Sequence, residues 1–145
     1  MSERSLGNRT EGAPSLPVSI VTVAFDTYFF TRLLVEKVRE LTTDRPFEII
    51  VVDRGSADES LPWLQAQPDV RIVSMPQSGP SHRHGEAASE GIRQTRHPIV
   101  VLLDSDAHPV AADWLGTTAS RLNKRVRLAG ALVHSGHVGN PYGYY

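Results

Sequence analysis

A regular alternation of short apolar runs with helix-like stretches is the feature of this sequence that most constrains its fold. The runs are rich in Val, Ile and Leu, a composition typical of strands that are buried on both faces. We predict five strands, at Val18–Ala24, Phe47–Val52, Val70–Ser74, Ile99–Leu103 and Arg127–Val133. We also expect the fourth of them to be a buried strand that ends at Asp104.

Helical patterns separate these strands. Phe30, Leu34, Val38 and Leu41 recur at helical spacing, which predicts an amphipathic helix over Phe30–Leu41. Three more helices are predicted: one capped by Asp58 and carrying Leu61 and Leu64, one over Gly85–Thr95, and one with Pro109 in its first turn that runs through Ala112, Leu115 and Leu122. This alternation predicts an α/β fold, with a mainly parallel sheet and helices on both faces.

Composition narrows the class of protein. The 145 residues suit one domain, which we place at 17–145 after a disordered tail at 1–16. Lys and Arg (15) nearly balance Asp and Glu (16), which argues against nucleic acid as a partner. Neither a membrane span nor a signal peptide is recognisable, and cysteine is absent, so a cytoplasmic location is expected.

Acidic residues follow three of the predicted strands, where ligands bind in open parallel sheets. They are Asp26, Asp53, Asp104 and Asp106. The last two stand at i and i+2 in the segment IVVLLDSDAHP, and paired hard oxygen ligands suit Mn²⁺ or Mg²⁺ bound together with phosphate oxygens. On this motif alone, a solvated turn before a helix is the alternative. None of the six histidines stands in a recognised zinc-binding pattern.

Four segments together resemble the family 2 glycosyltransferases. They are VSIVTVAFD, FEIIVVDRGSADES, AASEGIRQT and PIVVLLDSDAHPVAADWL, and the resemblance runs from about Val18 to Val133. It implies a Rossmann-like fold of the GT-A type. It also implies metal-assisted transfer of a sugar from a nucleotide-diphosphate sugar to an acceptor hydroxyl, with inversion at the anomeric carbon.

The resemblance also implies site residues. Ala24, Phe25 and Asp26 would line the nucleotide base, mostly through their backbone, and Asp53 would lie near the base and ribose. Asp104, Ser105 and Asp106 would hold the metal and the diphosphate. Asp106 would be the direct ligand of Mn²⁺ or Mg²⁺, and Asp104 would approach the ribose or the metal's water shell.

Two arginines need separate interpretation. Arg54 stands where the family usually has a second acid, which puts a uridine donor in question because arginine only donates hydrogen bonds. It would contact a guanine or thymine carbonyl or a phosphate, or else it is a surface arginine. Arg83, in the long loop Gln77–His84, would contact the diphosphate or is solvated.

The acceptor half of the family domain has no counterpart in these residues. Asp113 is the last carboxylate in the sequence, so no catalytic residue is assigned, and the domain is expected to be truncated. The acceptor can be a saccharide, a lipid or a protein.

The alternative hypothesis is a truncated or degenerate domain that binds a nucleotide or a protein without turnover. Another class of α/β enzyme is disfavoured because glycine-rich phosphate loops are absent. An apolar edge near Val133 would favour a homo-oligomer.

Overall fold

The computed structural model describes residues 15–76, 84–126 and 128–129, which form an α/β unit. Its elements are β1 (Val18–Ala24), α1 (Tyr28–Leu41), β2 (Phe47–Asp53), α2 (Ser60–Gln65), β3 (Val70–Ser74), α3 (His84–Arg93), β4 (Ile99–Asp104) and α4 (Trp114–Ala119). The first four predicted strands are confirmed. The predicted tail at 1–16 and the predicted strand Arg127–Val133 lie almost wholly outside the described residues. Within the described ranges, no helix combines the length and the apolarity that a membrane crossing requires.

The four strands form one parallel sheet in the order β3-β2-β1-β4. The chain builds outward from β1 to β2 and β3, and then returns to the other side of β1 to add β4. The strand order therefore reverses between β1 and β4, which is where ligands bind in open sheets of this kind. In the register of the sheet, Asp53 lies beside Ala24, and Asp104 lies beside Val23.

Helices cover both faces of the sheet, as predicted. On one face, Leu34, Val35 and Val38 of α1 pack with residues of α2 and α4 against the strands. On the other face, α3 packs Ala87 and Ala88 against the sheet. A Cβ at Gly91 would lie 2.5 Å from Val21 Cγ1 and 2.8 Å from Val52 Cγ2, so α3 needs glycine at this position to approach so closely.

The buried face of α1 differs from the prediction. The helix begins at Tyr28, and its buried residues are Thr31, Leu34, Val35 and Val38. Phe30 is 49% exposed, so the prediction that it belongs to the apolar face was wrong. The spacing 31, 34, 35, 38 is the true helical stripe, because positions i, i+3, i+4 and i+7 share one face.

Two predicted helix starts also need correction. The fourth helix begins at Trp114 rather than near Pro109, and Leu122 lies beyond its end. Pro109 is buried in non-helical chain, whose extended conformations suit its fixed φ as well as a helix start does. Asp58 is not the N-cap of α2, because that position is Glu59, whose side chain makes no capping bond. Asp58 nevertheless accepts a 2.9 Å hydrogen bond from the amide of Ser60, the first helical residue.

The prediction that β4 is fully buried was wrong. Val100 is 38% exposed and Leu102 is 48% exposed, whereas Ile99, Val101 and Leu103 pack against the core. Among the described strands, β4 pairs with β1 alone, so it is an edge strand here and one of its faces is half open.

A partly buried carboxylate joins the strands at the amino-terminal edge of the sheet. Glu48 of β2 accepts hydrogen bonds from Ser19 Oγ at 2.6 Å and from the Arg96 amide at 2.8 Å, and it pairs with Arg71. These contacts join β1, β2, β3 and the turn before β4. Burial alone would raise the pKa of Glu48, but the hydrogen bonds from Ser19 and Arg96 and the charge of Arg71 outweigh it, so the pKa lies below its usual range.

Candidate functional site

A pocket of about 250 Å³ opens at the carboxyl end of the sheet, at the β1–β4 reversal. Strand ends, the loop after β2 and the start of α3 all contribute to its lining, which consists of Val23, Phe25, Thr27, Arg54, His84, Asp104 and Ser105. Four of these residues (Phe25, Arg54, Asp104 and Ser105) are among those expected to bind a nucleotide, and the fold brings them together from three separate segments of the chain.

The acidic turn after β4 forms one wall of the pocket. The Ala107 amide donates to the Asp104 carbonyl at 2.9 Å, which closes a tight turn that carries Ser105 and Asp106. The Asp104 side chain is 73% exposed, and its Oδ1 lies 3.6 Å from His84 Nε2. Asp106 is also exposed.

These carboxylates fit a hard divalent cation. Within the described residues, no three His, Cys, Asp or Glu side chains come together at a metal-binding distance, so the protein itself offers few ligands. A small set of carboxylates is what Mg²⁺ uses when waters and substrate phosphates complete its shell, and Mn²⁺ also favours oxygen ligands. Asp104 and Asp106, both open to solvent at the turn, are therefore suited to this task.

Arg54 also lines the pocket and is buried. Its amide donates to the Ala24 carbonyl at 2.9 Å, which fixes its backbone against the end of β1. Arg54 as a whole is only 8% exposed, yet its Nε has no hydrogen-bond acceptor among the described residues. The interpretation of Arg54 as a surface arginine was wrong, because the residue is buried where the loop after β2 is bonded to the end of β1.

Asp53, the last residue of β2, shapes the loop that follows it. It is fully buried, and its Oδ2 accepts hydrogen bonds from the amides of Gly55 at 3.0 Å and Ser56 at 3.2 Å. Gly55 has φ 85°, a left-handed conformation that glycine adopts without strain. Asp53 Oδ1 has no hydrogen-bond partner within the described ranges. The nucleotide contact expected of Asp53 stays a prediction, because the carboxylate is closed off from solvent in this conformation.

Asp26 links two loops of the site. Its backbone has φ 50°, in the left-handed region that only short polar residues and glycine visit readily. Its Oδ1 accepts hydrogen bonds from the amides of Ala57 at 2.7 Å and Asp58 at 3.2 Å, and its own amide donates to Ser56 Oγ at 3.1 Å. We call this set of contacts the inter-loop clasp, because it joins the loop after β1 to the loop after β2.

Asp58 completes the inter-loop clasp from the other side. Its Oδ2 accepts a 2.9 Å hydrogen bond from the amide of Tyr28, the first residue of α1. Burial would raise the pKa of Asp58, but hydrogen bonds from Ser60 and Tyr28 outweigh that effect and hold the pKa below its usual range. The loops after β1 and β2 are therefore joined to each other by two carboxylates, those of Asp26 and Asp58.

The remaining predicted site residues fall outside the pocket lining. Ala24 is fully buried, and its carbonyl is already bonded to Arg54. Asp106 lies in the turn just beyond the lining, and Arg83 lies outside the described residues. Thr27 and His84 line the pocket but were not assigned to the nucleotide from the sequence. His84 was recoverable, because a helix that follows β3 in a parallel sheet must begin at the sheet's carboxyl edge.

The sequence of the chain matches the family described as glycosyl transferase family 2 over residues 19–143. The chain belongs to glycosyltransferase family 2. A curated relative is protein y4gI of Sinorhizobium fredii, which is 32% identical over 107 residues, covering 72% of this chain and 12% of that protein. This chain therefore spans about an eighth of the length of that relative.

Solved structures with the same fold include larger enzymes. The mannosyltransferase PcManGT from Pyrobaculum calidifontis, in complex with GDP-Man and Mn²⁺, matches with a TM-score of 0.57 and 22% identity, covering 70% of this chain and 31% of that one. Glucosyl-3-phosphoglycerate synthase of M. tuberculosis matches with a TM-score of 0.57 and 24% identity, covering 72% and 39%. TarS of S. aureus matches with a TM-score of 0.60 and 19% identity, covering 72% and 19%. These matches confirm the GT-A fold for the described unit.

Proposed function

We propose that this chain is the nucleotide-sugar-binding part of a glycosyltransferase that acts on a nucleotide-diphosphate sugar. The observation that carries the proposal is one pocket at the β1–β4 reversal, lined by the open carboxylate of Asp104 and by the buried, unsatisfied Arg54. Acidic and basic groups in the lining of one pocket suit a ligand that brings both a divalent cation and phosphate. Family membership supports the same assignment.

Asp104 and Asp106 would hold Mn²⁺ or Mg²⁺ at the turn after β4. The bound cation would supply positive charge that stabilises the departing diphosphate. Ser105, between the two carboxylates, lines the pocket and offers a hydroxyl to the same phosphates. Phe25 is 42% exposed at the pocket mouth, where its ring is available to the base or ribose.

In the proposed reaction, an acceptor hydroxyl oxygen bonds to the anomeric carbon of the sugar. The bond from that carbon to the diphosphate oxygen breaks, and its electron pair leaves with the nucleoside diphosphate. Attack in line with the departing group inverts the anomeric centre. We assign no residue of this chain as the base that takes the acceptor's proton, and the acceptor is a saccharide, lipid or protein hydroxyl.

Thermal unfolding in the presence of nucleotides tests the donor site. UDP, GDP, dTDP and CDP, and their common sugar conjugates, are each added with and without Mn²⁺. A ligand at about a hundred times its dissociation constant stabilises the folded chain by roughly 2.7 kcal/mol. We expect a metal-dependent shift for at least one nucleotide, and we expect Asp106→Ala to abolish it.

Asp113→Asn is the matched control for that substitution. Asp113 is an exposed carboxylate seven residues further along, and its side chain makes no capping bond to α4. The variant should keep the full shift. Absence of a shift with every nucleotide, or an equal shift in Asp106→Ala, would contradict the proposed donor site.

Nucleotide binding without turnover is the second candidate, and the buried Arg54 favours it because the family usually has an acid there. The two candidates differ in one cheap assay. The chain is incubated with the nucleotide sugar that it binds, and release of free sugar is followed in the presence of Mn²⁺. Sustained hydrolysis or transfer would exclude the non-catalytic candidate, whereas binding without release would support it.

A further inference from the structure

We propose that Arg54 binds the diphosphate of the nucleotide and does not read its base. This inference rests on the proposed nucleotide-sugar site and deepens it, by assigning a fixed cation of the protein to the leaving group. From the sequence, a base carbonyl and a phosphate are both open as ligands of Arg54, and its position and burial in the fold favour the phosphate.

Position is the first reason. Arg54 follows β2, and its amide is bonded to the last carbonyl of β1, at Ala24. Arg54 nevertheless lines the same pocket as Asp104 and Ser105, which follow β4 on the far side of β1. The pocket therefore joins the arginine to the acidic turn at the carboxyl end of β1. The part of a nucleotide sugar that would lie beside a metal held by that turn is its diphosphate.

Unsatisfied charge is the second reason. Arg54 carries a guanidinium, it is 8% exposed, and its Nε has no hydrogen-bond acceptor in the part of the chain that the structure describes. A buried cationic side chain with an unsatisfied donor is costly, and a neutral base carbonyl would satisfy one donor without compensating the charge. A phosphate supplies both the charge and oxygens in the geometry that a guanidinium binds in a bidentate way.

Charge balance at the pocket agrees with this assignment. Two carboxylates, Asp104 and Asp106, would neutralise one divalent cation, so these groups together would carry no net charge toward the ligand. The diphosphate of a nucleotide sugar would then still carry about two negative charges. Arg54 is a cation in the lining of the same pocket and would offset part of that charge.

Calorimetric titration of the full chain distinguishes phosphate from base recognition. Dissociation constants are measured with Mn²⁺ for UDP, GDP, dTDP, CDP and inorganic pyrophosphate, in the wild type and in Arg54→Gln and Arg54→Lys. We expect Arg54→Gln to weaken every nucleoside diphosphate and pyrophosphate by a common factor of roughly 10 to 100, the range for a lost hydrogen bond to a charged group. The ratios among the four bases should stay unchanged, and Arg54→Lys should recover part of the loss.

Arg45→Gln is the control, because Arg45 is another buried arginine, with a side chain only 6% exposed. It is paired with Asp44, just before β2 at the opposite edge of the sheet. This variant should bind every nucleotide as the wild type does. Unfolding without ligand gives an independent readout. Because Arg54→Gln removes a buried cationic side chain with an unsatisfied donor, its unfolding midpoint should equal or exceed that of the wild type.

The outcomes separate this inference from the proposed function. If the wild type binds no nucleoside diphosphate, the proposed function fails and the role of Arg54 fails with it. If the wild type binds but Arg54→Gln weakens one base selectively, or leaves pyrophosphate binding unchanged, the inference alone is overturned. A variant that no longer folds would show that Arg54 is structural, which also overturns it.

Discussion

Glu48→Gln tests whether one buried carboxylate holds the amino-terminal edge of the sheet together. Glu48 accepts hydrogen bonds from Ser19 and from the Arg96 amide through Oε1, and it pairs with Arg71 through Oε2. Glutamine keeps the size of the side chain but has a single acceptor oxygen. If that oxygen keeps the contacts to Ser19 and Arg96, the amide nitrogen of glutamine must face the guanidinium of Arg71. Both groups are hydrogen-bond donors, so this contact would be lost.

The expected loss follows from how buried this pair is. Breaking a fully buried ion pair by removing one partner costs about 3–5 kcal/mol, and a hydrogen bond to a charged group contributes about 1.5–3 kcal/mol. The side chains of Arg71 and Glu48 are 28% and 17% exposed, so water compensates part of the loss. We therefore expect a decrease of about 2–3 kcal/mol in the free energy of unfolding at pH 7.

Acid should remove this difference. Because the folded-state pKa of Glu48 is lowered below its ordinary value of 4.5, the ionised carboxylate stabilises the fold above that value. This contribution is lost as the pH falls through the lowered pKa of the folded state. Glu48→Gln has no group to titrate there, so the gap between wild type and variant should be full at pH 7 and should shrink below about pH 4.

Equilibrium unfolding in urea, followed by tryptophan fluorescence, measures the effect. Trp63 and Trp114 both pack against the main core and report on its loss. With a urea slope of about 1–3 kcal/mol per molar, the midpoint of Glu48→Gln should fall by roughly 1–2 M. Nucleotide affinity should not change, because Glu48 lies five residues, or about 16 Å, from Asp53 along β2.

Glu40→Gln is the matched control for the loss of one glutamate charge. Glu40 pairs with Lys37 on the surface of α1, and its side chain is 59% exposed. Such exposed pairs contribute little, so this change should cost less than about 0.5 kcal/mol. The reasoning would be refuted if the free energy of unfolding of Glu48→Gln lay within about 0.5 kcal/mol of the wild type. It would also be refuted if the difference in unfolding free energy between the two were the same at pH 7 and in acid.

Three other substitutions test the packing and the loops of the site. Gly91→Ala should lower the free energy of unfolding by about 1–3 kcal/mol, because its Cβ would collide with the sheet, whereas Gly85→Ala, with open space around it, should not destabilise the fold. Leu34→Ala removes a fully buried side chain of α1 and should cost about 2–5 kcal/mol by urea unfolding. Asp26→Ala should lower the free energy of unfolding by about 1–2 kcal/mol and weaken nucleotide binding, because the inter-loop clasp loses its acceptor. Asp26→Asn should lower the free energy of unfolding less, because asparagine keeps an acceptor oxygen and tolerates the left-handed backbone. Equal losses in the two Asp26 variants would show that charge, rather than the hydrogen bonds, holds the inter-loop clasp.

The strands were predictable because local composition decides them. Val18–Ala24 and Val70–Ser74 have the predicted bounds, and two further strands are each one residue longer than predicted, through Asp53 and Asp104. Runs of β-branched residues between turns leave little choice of conformation. The half-open face of β4 was not predictable in this way, because the exposure of a strand depends on what packs over it.

Helix faces and helix starts were less predictable. Apolar spacing included Phe30 in the buried stripe of α1, but Thr31 is the residue that packs inward. A threonine at a buried position and a phenylalanine at the surface defeat a pattern built on hydrophobicity alone. Likewise, the fixed φ of Pro109 is compatible with both a helix start and non-helical chain, and in the structure it lies in non-helical chain.

The grouping of the predicted residues follows from the sheet, but their contacts could not be predicted. Strand ends indicated Asp104, and the family resemblance implied Phe25, Arg54 and Ser105; these four residues line one pocket. The burial of Arg54, the approach of His84 to Asp104 and the bonds of Asp26 to Ala57 arise from contacts between residues 20 or more positions apart. No local pattern in the sequence encodes such contacts, so only the folded chain reveals them.

The inter-loop clasp also bears on the entropy of ligand capture. The loops after β1 and β2 are already ordered by bonds within the protein, since the amides of Tyr28, Ala57 and Asp58 all have carboxylate acceptors. A nucleotide entering beside them would not have to restrict these backbones, and so loses little affinity to loop ordering. The three amides should accordingly be slow to exchange hydrogen with solvent before any ligand is added, and they should gain little further protection afterwards. On this side of the pocket, the nucleotide would bind to preordered loops. The association rate would then be set by diffusion and orientation rather than by loop closure.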